Sequence, residues 1–114
     1  MIDHLQWGIL LEEAQRYQEA LAAYEQAAQE EPENSDPLLR QGALLDEVGD
    51  YPNALLAFDK ALSLDPYNAY ALSARGDVLS TLGRFDAAIE DFSDAILIDP
   101  EDANAYYNRG LAYA

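Results

Sequence analysis

Between Leu38 and Val48 the apolar residues Leu38, Leu44, Leu45 and Val48 fall at helical spacing around Gly42, a pattern that predicts a helix. The stretch "VGDY" interrupts it. Gly49 suits the left-handed backbone that ends many helices. Asp50 suits an N-cap, and Pro52 suits a first helical turn, where its missing N–H goes unused. A second helix is therefore predicted from about Pro52 to Leu64. It should close before Asp65-Pro66, because proline disfavours helix in the residue ahead of it. The turn recurs as "LGRF" around Gly83. The N-terminal segment differs: Ile2, Leu5, Trp7, Ile9, Leu10 and Leu11 spread around a helix and form no single stripe. A helix apolar on most sides is usually buried.

The helix–turn–helix pattern is periodic. Gly8, Gly42, Gly76 and Gly110 each stand 34 residues after the last. Ala20, Ala54 and Ala88 keep that register, as do Tyr24, Phe58 and Phe92, then Ala27, Ala61 and Ala95, then Pro32, Pro66 and Pro100. Tyr17, Tyr51 and Phe85 add a further aromatic column. The phrases "LDPYNAYAL" and "IDPEDANAY" are then joints, where one helix pair stops and the next starts. The columns also have a packing logic. The glycines and alanines let two helices approach closely, the aromatics at 24, 58 and 92 fill the wedge beside them, and a large side chain at Ala54 or Ala88 would overpack the contact.

A 34-residue helix–turn–helix unit of this kind resembles the tetratricopeptide repeat. The first unit supplies His4, Trp7-Gly8, Leu11, Ala20, Tyr24, Ala27 and Pro32. The second supplies Leu38, Gln41-Gly42, Leu45, Ala54, Phe58, Ala61 and Pro66. The third supplies Leu72, Arg75-Gly76, Leu79, Ala88, Phe92, Ala95 and Pro100, and Tyr106, Arg109-Gly110 and Tyr113 begin a fourth. His4 departs from the family's large residue, and Gln41, Arg75 and Arg109 stand where leucine is commoner; these changes should alter local packing only. The resemblance implies an all-α, right-handed solenoid of antiparallel helix pairs in a single domain, with repeats at about 1–34, 35–68 and 69–102 and a terminal helix at 103–114. The apolar first helix then reads as an unprotected N-terminal edge, and the terminal helix, with Tyr107, Leu111 and Tyr113, as one that expects a cover of its own.

Charge narrows the partners. The chain of 114 residues carries 22 acidic against 6 basic side chains, a formal charge of −16. Such a surface repels phosphate backbones and anionic lipid, so neither nucleic acid nor a membrane is an expected partner. No apolar run approaches the roughly 18–20 residues of a membrane span. The N-terminus lacks the basic and small-residue signature of a secretory leader, and the expected location is cytoplasmic.

Candidate chemistry is sparse. There is one histidine and no cysteine. His4 occupies a packing column and reads as a partly buried structural residue. The serines match no nucleophile-elbow pattern, and no glycine-rich run leads into Lys-Ser or Lys-Thr. The acidic stretches "EEPENSD" and "DPEDAN" lack the alternating ligands, central glycine and terminal glutamate of a calcium loop. The tyrosines lack the basic groove that base stacking would need. The expectation is a non-enzymatic chain with no cofactor and no metal.

Function in such a solenoid usually lies on the concave face. The resemblance implies that first helices line it through set positions of each repeat. The first repeat offers Leu5, Ile9, Glu12 and Glu13. The second offers Asp36, Leu39, Arg40, Ala43, Asp46 and Glu47, the third Tyr70, Ala74 and Asp77, and the last helix Tyr107. One family mode grips the C-terminal carboxylate of chaperone peptides with Lys, Arg and Asn. The matching positions here hold Leu5, Ile9, Arg40, Tyr70 and Ala74, so a carboxylate clamp is not expected. What remains is an apolar floor (Leu5, Ile9, Leu39, Ala43, with Tyr70 and Tyr107 beyond) beside an acidic rim (Glu12, Glu13, Asp46, Glu47, Asp77). That pattern points to a protein-interaction module for a peptide or helix with apolar anchors and basic flanks. The alternative is a self-associating scaffold fragment of a longer array that makes its contacts through its apolar ends, with Trp7 and Leu10 on the N-terminal helix as the residues that discriminate.

Overall fold

The computed structural model describes residues 2–114; Met1, the first residue of the predicted first repeat, lies outside them. The described residues form seven α-helices and no strand: α1 His4–Glu13, α2 Tyr17–Glu30, α3 Asp36–Glu47, α4 Tyr51–Leu64, α5 Ala69–Thr81, α6 Phe85–Ile98 and α7 Ala103–Tyr113. Every helix packs on the next one in the chain, and α5 also touches α3 and α7 across the repeats. The described body is elongated, 46 × 25 × 21 Å. This is an all-α solenoid built by nearest-neighbour stacking.

The joints use short polar side chains as caps. Asp3 and Gln6 form a reciprocal capping box on α1. Asn68 accepts from the Ala71 N–H at 2.9 Å and opens α5. Asp102 does the same for α7 through Ala105 N–H at 3.1 Å. Asp50 caps α4, which begins at Tyr51, one residue before the expected start. Within each pair the turn is closed by one repeated bond. Arg16, Asp50 and Arg84 donate their N–H to the carbonyls of Leu11, Leu45 and Leu79, each at 2.8 Å. That turn needs a left-handed residue. Gly49 and Gly83 supply it at φ +87° and +78°, whereas the first repeat forces Gln15 into φ +61°.

The core is organised around the aromatic column. Tyr24, Phe58 and Phe92 are at most 1% exposed. Each ring lies directly on the glycine of its own first helix. A Cβ built on Gly42 or Gly76 would stand 2.8 or 2.7 Å from a ring carbon of Phe58 or Phe92, and Tyr24 covers Gly8 in the same way. Ala20, Ala54 and Ala88 are fully buried beside these rings. Between repeats, Leu62, Ala71, Leu72, Ala95, Ile96 and Ala105 form a cluster that joins α4 to α7.

Two polar residues behave differently from the sequence reading. His4 is not partly buried. It lies exposed on α1, with Nδ1 2.6 Å from Glu30 Oε1 near the end of α2, so it pairs with a carboxylate at the surface of the first helix pair. Arg75 does more than adjust packing. Its Nε and Nη2 donate to the two carboxylate oxygens of Asp91, each at 2.8 Å, and its Nη1 donates to Asp59 at 2.9 Å. Asp91 is buried on α6 and Asp59 belongs to the preceding repeat, so one guanidinium ties two repeats together. The first two repeats carry Ala23 and Ala57 in the register of Asp91.

Two outcomes follow for stability. Gln15→Gly removes a side chain from a left-handed position and should raise the unfolding free energy by about 0.5–1 kcal/mol in urea titrations. Arg75→Leu strands a buried carboxylate and should cost about 3–5 kcal/mol. Adding Asp91→Ala to it should recover most of that loss, since both ions are then gone.

Candidate binding groove

The first helices of successive repeats supply one face. Two adjoining cavities of about 350 and 420 Å³ open on it, and both are lined by Ala43 and Tyr70. The first is completed by Glu12, Asp36, Leu39 and Arg40. The second includes Asp46, Ala74 and Asp77, together with Ser73 and Asn104. Of the residues singled out in the sequence, Glu12, Leu39, Arg40, Ala43, Asp46, Tyr70, Ala74 and Asp77 therefore line this pair of cavities. Leu5 and Ile9 do not; they are half-buried against Ala20, Tyr24 and Leu44 and serve the core of the first repeat. Glu47, the last residue of α3, and Tyr107, on α7, are exposed and line neither cavity.

Three participants escaped the sequence reading. Asp99 and Asp102 sit in the joint before α7 and line the second cavity. The loop reads as punctuation in sequence, and only the stacking of α7 on α6 brings its carboxylates beside Asp77. The third is the hydroxyl of Tyr24. Its ring is core, but its O–H reaches through the helix pair and donates to Glu12 Oε1 at 2.6 Å. Tyrosine in a column that elsewhere holds phenylalanine is the one signal that could have suggested it. Burial, reinforced by the Glu12 carboxylate, raises the Tyr24 pKa far above the usual phenol range, so the hydroxyl stays a donor and holds Glu12 in place.

The electrostatics of the second cavity are one-sided. Burial, and then the charges of Asp46 and Asp102, push the Asp77 carboxyl up to about 6. Burial also raises Asp46. Asn108 Nδ2 donates to Asp77 Oδ1 at 2.7 Å, but that contact is neutral. Among the described residues, Arg40 is the only cationic side chain that lines either cavity. Among the described residues, no group of three or more His, Cys, Asp or Glu side chains has the arrangement to hold a metal ion. No described helix is long and apolar enough to cross a membrane.

Family models for the tetratricopeptide repeat match residues 5–69 and 57–90, and a TPR repeat model matches residues 76–114. The chain belongs to the tetratricopeptide repeat family. No curated protein matches this TPR domain, but many solved structures share its fold. The second TPR domain of human RPAP3, solved in complex with the HSP70 peptide SGPTIEEVD, superposes with a TM-score of 0.93 at 19% identity, over 98% of this chain and 93% of that one. The first TPR of Spaghetti (RPAP3), bound to the HSP90 peptide SRMEEVD, gives 0.92 at 17% identity, over 96% and 87%. MamA 41-end from Desulfovibrio magneticus RS-1 gives 0.91 at 31% identity, and the match spans 96% of this chain and 62% of that chain.

The raised Asp77 pKa has a thermodynamic sign. Free aspartate titrates near about 3.9, so between that value and about 6 the folded TPR domain binds a proton that the unfolded chain does not. Stability therefore rises as pH falls from 7 towards 4, and above about pH 7 this contribution is flat at its least favourable value. Thermal unfolding followed by circular dichroism should show Tm increasing between pH 7 and pH 5. The increase should be smaller in Asp77→Asn, and the difference between the two slopes isolates this carboxylate from the general relief of a −16 charge.

Proposed function

We propose that this TPR domain is a non-enzymatic interaction module whose groove holds a peptide or helix of another protein, with apolar anchors and lysine or arginine flanks. The observation that carries the reading is the pair of adjoining cavities. Leu39, Ala43, Ala74 and Tyr70 offer apolar contact at their base, and Glu12, Asp36, Asp46, Asp77 and Asp102 surround it against a single Arg40. Apolar burial supplies most of the affinity, and the carboxylates steer the encounter and set register. The solved neighbours in complex hold peptides that end in EEVD. An acidic ligand of that kind meets like charge here, so this domain takes the opposite ligand class.

The test is a titration of a peptide that alternates leucine with lysine against its glutamate counterpart, by stopped-flow fluorescence at low and high salt. The basic peptide should bind at least tenfold more tightly. Its association rate should fall steeply as ionic strength rises, because exposed charges beyond about 8–10 Å are screened at physiological salt. Asp46→Asn with Asp77→Asn should remove most of that salt dependence. Equal binding of both peptides, or an association rate indifferent to salt, sinks the proposal.

A second reading rests on a separate observation. Trp7 and Leu10 on α1, and Ile2 just ahead of it, are each close to half exposed, an apolar edge suited to a further copy of the chain. Polar replacements of Trp7 and Leu10 should dissolve such an assembly and leave peptide binding intact. A light-scattering mass that does not change with concentration rules the assembly out.

A further inference from the structure

We infer that the joint between α2 and α3 is the weak interface of the solenoid, and that the first helix pair opens there as one unit while the second and third repeats stay folded. The first cavity of the groove takes Glu12 from α1 and Leu39 and Arg40 from α3, so it is complete only while this joint is closed. The inference concerns the fold and holds whatever ligand the groove takes.

Two joints lie inside the chain, each with further helices on both sides, and they can be compared position by position. Between the second and third repeats, Leu62 of α4 and Leu72 of α5 are 8% and 6% exposed in one apolar cluster. One repeat earlier the same positions are Ala28 and Leu38. Both are only half-buried, and they line a cavity of about 380 Å³. An alanine where the later repeats hold Leu62 and Ile96 leaves that volume unfilled, and the lining of a void loses the contacts it would otherwise make.

The polar tie is missing as well. At the later joint Arg75 donates to Asp59 of the preceding repeat at 2.9 Å and to Asp91 of its own. At the earlier joint these three positions hold Gln41, Glu25 and Ala57, a set that cannot form an ion pair. Gln41 instead lines two cavities, of about 330 and 380 Å³, in the furrow between α2 and α4. The connection differs in the same sense. Asn68 caps α5 through its side chain, whereas Ser35 makes no such bond to α3, and the Asp36 N–H is met by Asn34. What holds the earlier joint is apolar: Leu44 against Ala20 and Tyr24, and Leu21 against the cluster of Leu45 and Ala57. These contacts lie at the end of the joint away from its connection. The first pair also carries Gln15 in the left-handed region, where the later turns use glycine. In a stack held by nearest-neighbour interfaces, the weakest interface decides where a unit parts from the rest.

The measurement is native-state hydrogen exchange of the full chain, read by NMR residue by residue. Amides of α1 and α2 should exchange through a common opening that leaves those of α5 and α6 protected. Ala28→Leu puts the later joint's side chain into the cavity. It should slow the α1 and α2 amides about tenfold, the effect of burying one or two methylenes, and leave the α5 and α6 amides unchanged. Gln41→Arg with Ala57→Asp transplants the Arg75 tie, with Glu25 as the second acid, and should act in the same direction. If the transplanted carboxylate prevents folding, Ala28→Leu alone decides. Exchange of α1 and α2 that ignores Ala28→Leu means that the pair merely frays as a chain end, and it overturns the proposal. So does a slowing shared equally by α5 and α6, since the domain would then open as a whole.

Discussion

The contact on which the structure depends is the seating of an aromatic ring on a helix that has no side chain at that point. A glycine on the first helix of each pair removes the Cβ, and the ring of Tyr24, Phe58 or Phe92 fills the vacated volume. Interiors are packed to near-crystalline density, so a void or an extra methyl at such a point is felt at once. Because the ring is rigid and wholly buried, it sets both the distance and the angle between the two helices. Repetition at a constant interval then turns one local geometry into a solenoid, and the solenoid brings the first helices onto a common face. The groove is thus a consequence of the glycine–aromatic contact, although none of the glycines lines it.

That arrangement separates the residues that build the face from those that use it. Leu5 and Ile9 lie at positions where a first helix can meet a ligand, yet in the first repeat they close the core over Tyr24 and Leu44. The cavities open farther along the stack, where Leu39, Ala43, Tyr70 and Ala74 line them. Its charge is set by neighbours that would not be grouped from sequence. Glu12 is oriented by the Tyr24 hydroxyl, and Asp77 is crowded by Asp46 from one side and Asp102 from the other. A cavity that gathers several carboxylates and excludes part of their water disfavours the charged form of the carboxyl at its centre, which is why Asp77 is raised.

The arginines of the repeat register show how one residue type can serve two ends. Arg75 sits inside the stack, satisfied by a bidentate carboxylate and by a second acid from the preceding repeat. It fixes the relative placement of two helix pairs. Arg109 occupies the same register on α7, where it reaches Ser93 of the preceding repeat and lies over the Tyr106 ring.

Much of the fold was legible because it is periodic. The spacing of Gly42, Phe58, Pro66 and their equivalents defines helix, turn and joint without reference to any distant contact, and local rules for caps and left-handed glycines place the helix ends to within a residue. The resemblance to the TPR family, and not the periodicity by itself, implied that Asp46, Tyr70 and Asp77 share one face. Tertiary structure alone decided the rest. His4 is exposed and meets Glu30 of α2, a residue 26 positions away. Arg75 finds two acids 16 residues away on either side, a pairing that exists only once helices from two repeats are side by side. Asp99 and Asp102 join the cavity because α7 folds back onto α6. Local sequence determines which segments become helices and where they stop, since those choices depend on residues within a turn of one another. Which side chains meet depends on how far the stack rotates from one repeat to the next. That rotation is set by the summed packing of whole faces, and no single stretch of the chain encodes it.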